Sequence, residues 1–270
     1  MMRRFAFAAI LACALSGAAP GVYLVLQKGA SSLAWYTPEG KLMHSVPVGQ
    51  HPHEMVLSRD RKLLYTTDNG TMKIEHAGTG GNTVSVIDVA GRKRVAQIST
   101  GEFRRPHGID IDKATGRIAV STELPDKLLI IDPAKRAVVK TYDTKGKTSH
   151  MVTFGHRAEY AYVSNSSSGN VAAVRLSDGE VKLIPTGTRP EDSVLSPDGR
   201  HLYVCNRESA NISVIDTAQN AVVGQIATGK GPVRLEVSPD GKTLVYALMH
   251  DKQVGFADTA SRKQTGTVSV

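Results

Sequence analysis

The sequence predicts an all-β chain built from repeated four-stranded sheets, and three observations carry that prediction. The strand-opening residues Pro52, Pro106, Ser149, Pro190 and Pro232 recur at intervals of 54, 43, 41 and 42 residues, a period in the range of repeat architectures. Within one period four short β-rich runs follow one another, as SVLS, HLYVCN, NISVID and AVVGQIATG do between Ser193 and Gly229. No segment sustains the apolar period of a helix.

Taken in order, the chain opens on MMRRFAFAAILACALSGAAPG, residues 1–21. Two arginines, an apolar run from Phe5 to Leu15 and the small residues Ser16, Gly17 and Ala18 form the pattern of a secretory signal, too short for a stable membrane anchor. This predicts a periplasmic or secreted mature protein with no transmembrane segment. The alternative is a lipoprotein attached through Cys13, although the flanking residues depart from that pattern.

Residues 22–270 then read as a single domain with repeats at about 22–50, 51–102, 103–146, 147–187, 188–229 and 230–270. The first repeat holds three strands and lacks the inner one, so the chain is read either as a six-membered ring or as lacking one further repeat. Pro-Asp-Gly at 197–199 and 239–241, and Ser58 to Arg61 in the same slot, supply the turn after the inner strand. Asp88, Asp132, Asp216 and Asp258 end third strands, where a turn explains them better than a metal does. The long first interval marks an insertion, NGTMKIEHAGTGGN, between the second and third strands of the second repeat. Its Gly78, Gly80 and Gly81 are followed by no Lys-Ser pair and no helix, so it reads as a lid or partner loop rather than a phosphate loop.

Four antiparallel strands at this period describe a β-propeller blade. The runs Tyr-Val-Ser-Asn at 162–165, Tyr-Val-Cys-Asn at 203–206, and Ser-Val-Ile-Asp at 85–88 and 213–216 resemble the YVTN-repeat β-propeller family. That resemblance implies an extracytoplasmic propeller with surface-layer and cytochrome d1-like relatives, seven-bladed in its family form. It implies no particular activity.

Composition narrows the function classes. The net charge of +8 includes the two arginines of the signal, and many of the remaining bases fall in turns such as GRKR, PAKR and SRKQ beside outer strands, where charge protects a sheet edge. Aromatic residues make up 5% and none is interleaved with basic runs, which argues against a nucleic-acid partner. Beyond the signal, Cys205 is the only cysteine, so no internal disulfide is expected, and its place in HLYVCN reads as a small buried hydrophobe.

Strand direction puts the loop entering each inner strand and the loop from second to third strand on one side of every blade. That side collects the candidate residues. One column carries His53, His107, His150 and Glu191 in successive blades, then Val233. His51, Asn165, Asn206, Arg207, His250 and Asp251 share the side, as do Glu75 and His76 of the insertion. Arg104, Arg105, Lys147, Arg189, Lys230 and Arg234 add a basic rim. Three imidazoles from neighbouring blades would suit zinc, copper or iron if they converge, so His53, His107 and His150 are the candidate metal ligands. The rim favours an anionic small molecule or a protein partner, with Arg104, Arg105, Arg189, Glu191, Asn165, Asn206, Arg207 and His250 as candidate ligand contacts. The leading expectation is a monomeric ligand-binding or protein-interaction module rather than an enzyme. A metal-dependent enzyme, lactonase- or lyase-like or an oxidoreductase, is the second, and a surface-layer scaffold the third. No G-x-S-x-G elbow, dinucleotide fingerprint or haem-attachment motif is present.

Overall fold

A computed structural model describes residues 9–11, 21–73 and 78–270. Most of the stretch read as a signal, Cys13 included, and Glu75 and His76 of the insertion lie outside the described residues. Among the described residues six antiparallel sheets follow one another, each ordered inner, second, third, outer strand, and the fold is an all-β propeller. The first sheet has three full strands, Tyr23–Gln27, Ser32–Tyr36 and Leu42–Pro47. A three-residue strand, Ala9–Leu11, pairs antiparallel with the first of them through Ala9 opposite Leu26 and Leu11 opposite Leu24. Among the described residues no helix is long and apolar enough to cross a membrane.

By backbone contacts the chain divides into two compact units, residues 1–118 with 131–139, and residues 119–130 with 140–270. In unit 1 the first and second sheets share a core of Leu26, Leu33, Trp35, Val46, Leu64 and Ile87. In unit 2 the strand period of two sends alternate side chains to opposite faces, and both faces are buried. Thus Leu202 and Val204 of the fifth sheet pack with Tyr162, Val171 and Ala173 of the fourth. Tyr203 and Cys205, the residues between and beyond them, pack with Leu244, Tyr246 and Leu248 of the sixth. This two-sided burial is why the second strands read as continuous apolar runs. Cys205 is fully buried and unpaired in a disulfide, as its strand context predicts, and burial pushes its thiol pKa well up.

The polar residues ending second strands hold each blade to the turn that leads into it. Asn206 accepts the Gly187 amide at 3.1 Å, and its Nδ2 donates to Asn211 at 2.7 Å and Ser213 at 2.9 Å. Asp68 does the same in unit 1, accepting Gly49 N at 3.0 Å and the hydroxyls of Thr83 and Ser85 at 2.7 and 2.8 Å. The turn must carry glycine there: a Cβ on Gly49 would sit 2.1 Å from the Asp68 carboxyl carbon, and one on Gly187 2.8 Å from Asn206. The aspartates ending third strands cap their turns as expected, with Gly91 N on Asp88 at 2.8 Å and Ala218 N on Asp216 at 2.9 Å.

Candidate functional site

Two backbone features aim the histidine column. The residue ahead of the strand-opening Pro or Ser is left-handed in each blade from the second to the sixth: His51, Arg105, Thr148, Arg189 and Gly231 have φ of 44, 54, 58, 58 and 74°. Four of the five are not glycine, a conformation costing a side-chain-bearing residue about 1 kcal/mol or more. The strand then carries one extra residue in its first positions, between Pro52 and Met55, Ser149 and Val152, and Pro190 and Ser193. A bulge re-aims the side chains it contains, and the ones contained here are those of the column.

In unit 1 the column brings two histidines together. The rings of His53 and His107 lie 4.2 Å apart between centroids, tilted by 59°. His53 Nε2 is 3.2 Å from the Thr71 carbonyl and its Nδ1 is 3.5 Å from Lys28 Nζ. A lysine can only donate and a carbonyl can only accept, so this pairing fits the neutral Nε2–H tautomer. The Thr67 hydroxyl donates to the His107 carbonyl at 2.7 Å and fixes that strand opening. Arg104 and Arg105 turn toward the insertion. Arg105 Nη2 donates to Gly78 O at 2.8 Å, Arg104 Nη1 is 3.4 Å from Gly80 O, and the Arg105 amide bonds Gly81 O at 2.8 Å. In this conformation their guanidinium groups anchor the insertion.

In unit 2 the same column builds an ionic cluster. His150 Nε2 lies 3.2 Å from Glu191 Oε2, and both side chains are 5% exposed. On the other side Arg207 Nη1 is 3.0 Å from Glu191 Oε1, and Arg207 Nε pairs with Glu208 at 3.1 Å. The Arg207–Glu191 contact has ion-pair distance without hydrogen-bond alignment. Burial raises the Glu191 pKa above the ordinary 4.5, opposed by the positive charges of Arg207, Arg234 and Arg189. Two further groups stiffen the cluster. The Ser121 hydroxyl donates to the His150 carbonyl, and Asp126 accepts the Ser149 amide at 2.6 Å.

The structure distributes the remaining candidates unevenly. Asn165 and Asn206 are fully buried, and their amides are taken up inside the blades. The ligand contact expected of these two gives way to a structural role, because neither polar end reaches the surface. Arg234 Nη1 bonds the Val233 carbonyl at 3.0 Å. His250 packs on the blade-six entrance, where a Cβ on Gly231 would come within 2.3 Å of its ring. Asp251 accepts the Lys230 amide at 2.6 Å. Among the described residues no group of three or more His, Cys, Asp or Glu side chains has the spacing to hold a metal ion. No signal in the sequence points to Lys28 or Asp126, since each reaches the column from a different blade and neither sits in a motif.

Known proteins share this architecture to different degrees. A protein of Erwinia tasmaniensis named 6-phosphogluconolactonase is 34% identical over 99 residues, which make up 33% of this chain and 29% of that protein. The chain therefore aligns with less than a third of that relative. Among solved structures, Kuenenia stuttgartiensis hydrazine synthase superposes with a TM-score of 0.77 at 19% identity, over 88% of this chain and 80% of that one. Virginiamycin B lyase from Staphylococcus aureus superposes with a TM-score of 0.77 at 14% identity, over 97% and 83%. At these identities the likeness is one of fold. A family model described as lactonase, seven-bladed β-propeller, matches residues 102–268, well over half of the chain, and the chain belongs to that family.

Proposed function

We propose that the chain is an extracytoplasmic propeller that binds a small anionic molecule on the blade-entrance face of its second unit, with His150, Glu191 and Arg207 as the polar floor and Arg189 at the rim. The observation that supports this reading is the burial of Glu191, 4% exposed, between an imidazole and a guanidinium. A buried ion pair adds little net stability compared with apolar packing, whereas raised carboxylate pKa values concentrate at functional sites. Arg189 and Arg234 also act on this carboxylate electrostatically, and such a set favours an incoming negative charge.

Lactone hydrolysis is the second reading, favoured by the pairing of a raised Glu191 with His150 and by the family to which the chain belongs. In it, water attacks the lactone carbonyl, the ring C–O bond breaks, and the proton taken from water by the His150–Glu191 pair returns to the departing alkoxide, giving the open hydroxy acid. The discriminating experiment is calorimetry of the purified protein with gluconate and 6-phosphogluconate, beside pH-stat titration with δ-gluconolactone. Binding weakened about tenfold by Arg207→Gln, with no proton release above background, is the expected result. Proton release that Glu191→Gln abolishes would move the assignment to hydrolysis. No binding and no turnover would remove both.

A further inference from the structure

We infer that unit 1 rests on the surface of an anionic lipid bilayer through the end of its blades opposite the entrances, with the strand turns there as the contact. This surface is separate from the ligand face of unit 2, and its occupant is a membrane rather than a small molecule.

Strand direction puts the inner-to-second and third-to-outer turns at that end. In unit 1 these are residues 37–41, 58–62, 89–92, 112–117 and 133–136, and they hold nine Lys and Arg against three Asp and Glu. The equivalent turns of unit 2, residues 155–159, 176–180, 196–200, 217–220, 238–242 and 259–262, hold four against five. The excess of positive charge is therefore a property of unit 1 and not of the repeat. Eight of its nine bases are exposed. Among the described residues only two of the nine reach ion-pair distance of a carboxylate, Lys62 at 3.7 Å from Asp60 and Lys135 at 3.9 Å from Asp132. The acids are tied into their own turns: Asp60 accepts the Ser58 hydroxyl at 2.7 Å and the Lys62 amide at 3.1 Å, and the buried Asp112 accepts the Ala114 amide at 3.0 Å.

Hydrogen bonds join these turns into one surface. His44, in the outer strand that follows the 37–41 turn, donates from Nε2 to the Arg92 carbonyl at 3.0 Å, and the Val89 amide donates to the Lys62 carbonyl at 2.9 Å. Burial pushes the Tyr65 pKa up, and the charges of Asp60 and Arg136 act on it in opposite senses, which sets the 58–62 and 133–136 turns around one tyrosine. Edge protection does not account for this charge. Arg59, Arg61, Lys62, Lys113 and Arg117 sit in inner-to-second turns, away from the outer strand. Three turns also place arginine in the left-handed region, Arg61, Arg92 and Arg136 with φ of 58, 50 and 53°, where unit 2 has Gly199 and Gly241 in the slot of Arg61. Glycine is spared the steric cost of that conformation, so the retained arginines carry a charge that the turn itself does not need.

The neighbouring side chains choose the partner. No aromatic residue lies in these turns, which removes the stacking platforms of a nucleic-acid surface. Leu42 and Met43, directly after the 37–41 turn, are 53% and 42% exposed. An acidic protein satisfies only the charges, whereas a bilayer interface takes both: cations pair with anionic headgroups, and apolar side chains seat at the acyl boundary.

The test is cosedimentation of the full chain at low ionic strength with vesicles of phosphatidylcholine alone or mixed equally with phosphatidylglycerol, beside binding to polyglutamate. Residues 1–21 are present in every protein compared, so their contribution cancels. Wild type is expected to bind the mixed vesicles, to ignore the neutral ones, and to be released by salt. The triple variant Arg61→Gly, Arg92→Gly, Arg136→Gly suits the left-handed turns and should weaken vesicle binding about tenfold or more, since each cation at an anionic surface is worth about fivefold. The triple variant Arg157→Gln, Arg200→Gln, Lys242→Gln removes the same charge from unit 2 and should leave binding within about twofold. Equal losses in the two triples would make net charge the cause and overturn the docking surface. Leu42→Ser with Met43→Ser should weaken vesicle binding severalfold and leave polyglutamate binding alone. Vesicle binding untouched by that pair, or polyglutamate bound where vesicles are not, would overturn the lipid assignment in favour of an acidic protein. Wild type that ignores the mixed vesicles would overturn the inference outright. Urea unfolding of each variant shows whether it remains folded.

Discussion

The entrances of the second and third blades in unit 1 and those of the fourth and fifth in unit 2 start from one backbone device and end in different chemistry. Both have a left-handed residue ahead of the strand-opening proline, at Arg105 and at Arg189. In unit 1 the column ends in two imidazoles 4.2 Å apart, and the adjacent arginines are occupied with insertion carbonyls. In unit 2 it ends in an imidazole, a buried carboxylate and a guanidinium. The difference follows from one residue type at one position, glutamate at 191 where the earlier blades have histidine. A repeat keeps the geometry, and the column residue chooses the chemistry.

The largest expected effect comes from removing that one residue. Glu191→Leu removes the buried carboxylate that His150 and Arg207 share, and loss of one partner from a buried pair typically costs about 3 kcal/mol or more. His53→Leu in unit 1 removes a half-buried ring that meets a carbonyl, a lysine and another imidazole, and should cost clearly less, on the order of 1–2 kcal/mol. Urea unfolding of the two variants reads the contrast. Equal losses would mean that the two entrances are energetically alike and that the Glu191 cluster is ordinary packing.

The pH dependence sharpens the same comparison with a smaller effect. Burial raises the folded pKa of Glu191 above 4.5, so the folded state takes up its proton at higher pH than the unfolded chain does. Stability from this group is therefore fully present below the unfolded value and is lost as pH rises through the raised folded value. Wild type should gain stability over Glu191→Gln when the pH falls from neutral toward 4.5. Denaturant midpoints of both proteins between pH 4 and 8 measure this. A difference that stays flat or reverses sign would show that Arg207, Arg234 and Arg189 outweigh burial at this carboxylate.

The fold is legible in the sequence because its signals are local and repeated: the period, the Pro-Asp-Gly turns and the apolar runs of second strands all survive in any one blade. The role of the terminal Asn is not legible in the same way. Asn165 and Asn206 look like exposed polar ends of strands, and only the approach of Gly146 and Gly187, from the preceding turn, shows them to be buried locks. The site is legible by column and not by partner. The spacing places His150 and Glu191 at equivalent positions, but the meeting of adjacent columns depends on how neighbouring sheets pack, which no local pattern encodes. The basic rim misleads for a related reason. In the sequence Arg105 is one more cation offered to ligands, whereas the insertion 27 residues earlier supplies the carbonyl that it holds.

That last hydrogen bond gives the smallest of the expected effects, and it separates anchoring from ligand binding. Arg105→Ala removes an exposed side-chain hydrogen bond to Gly78 O at 2.8 Å but leaves its own amide on Gly81 O. The global cost should stay within about 0.5 kcal/mol, as for surface changes generally. The local consequence should be larger, because the side chain crosses the insertion next to Gly80, where a Cβ would meet the arginine at 2.5 Å. Without it, amides around 78–82 should exchange faster and limited proteolysis should cut within the insertion, while the midpoint of urea unfolding barely moves. If instead anion binding to unit 2 fell as much as it does for Arg207→Gln, Arg105 would belong to the ligand site, and the contrast between an anchored entrance and a ligand-binding one would collapse.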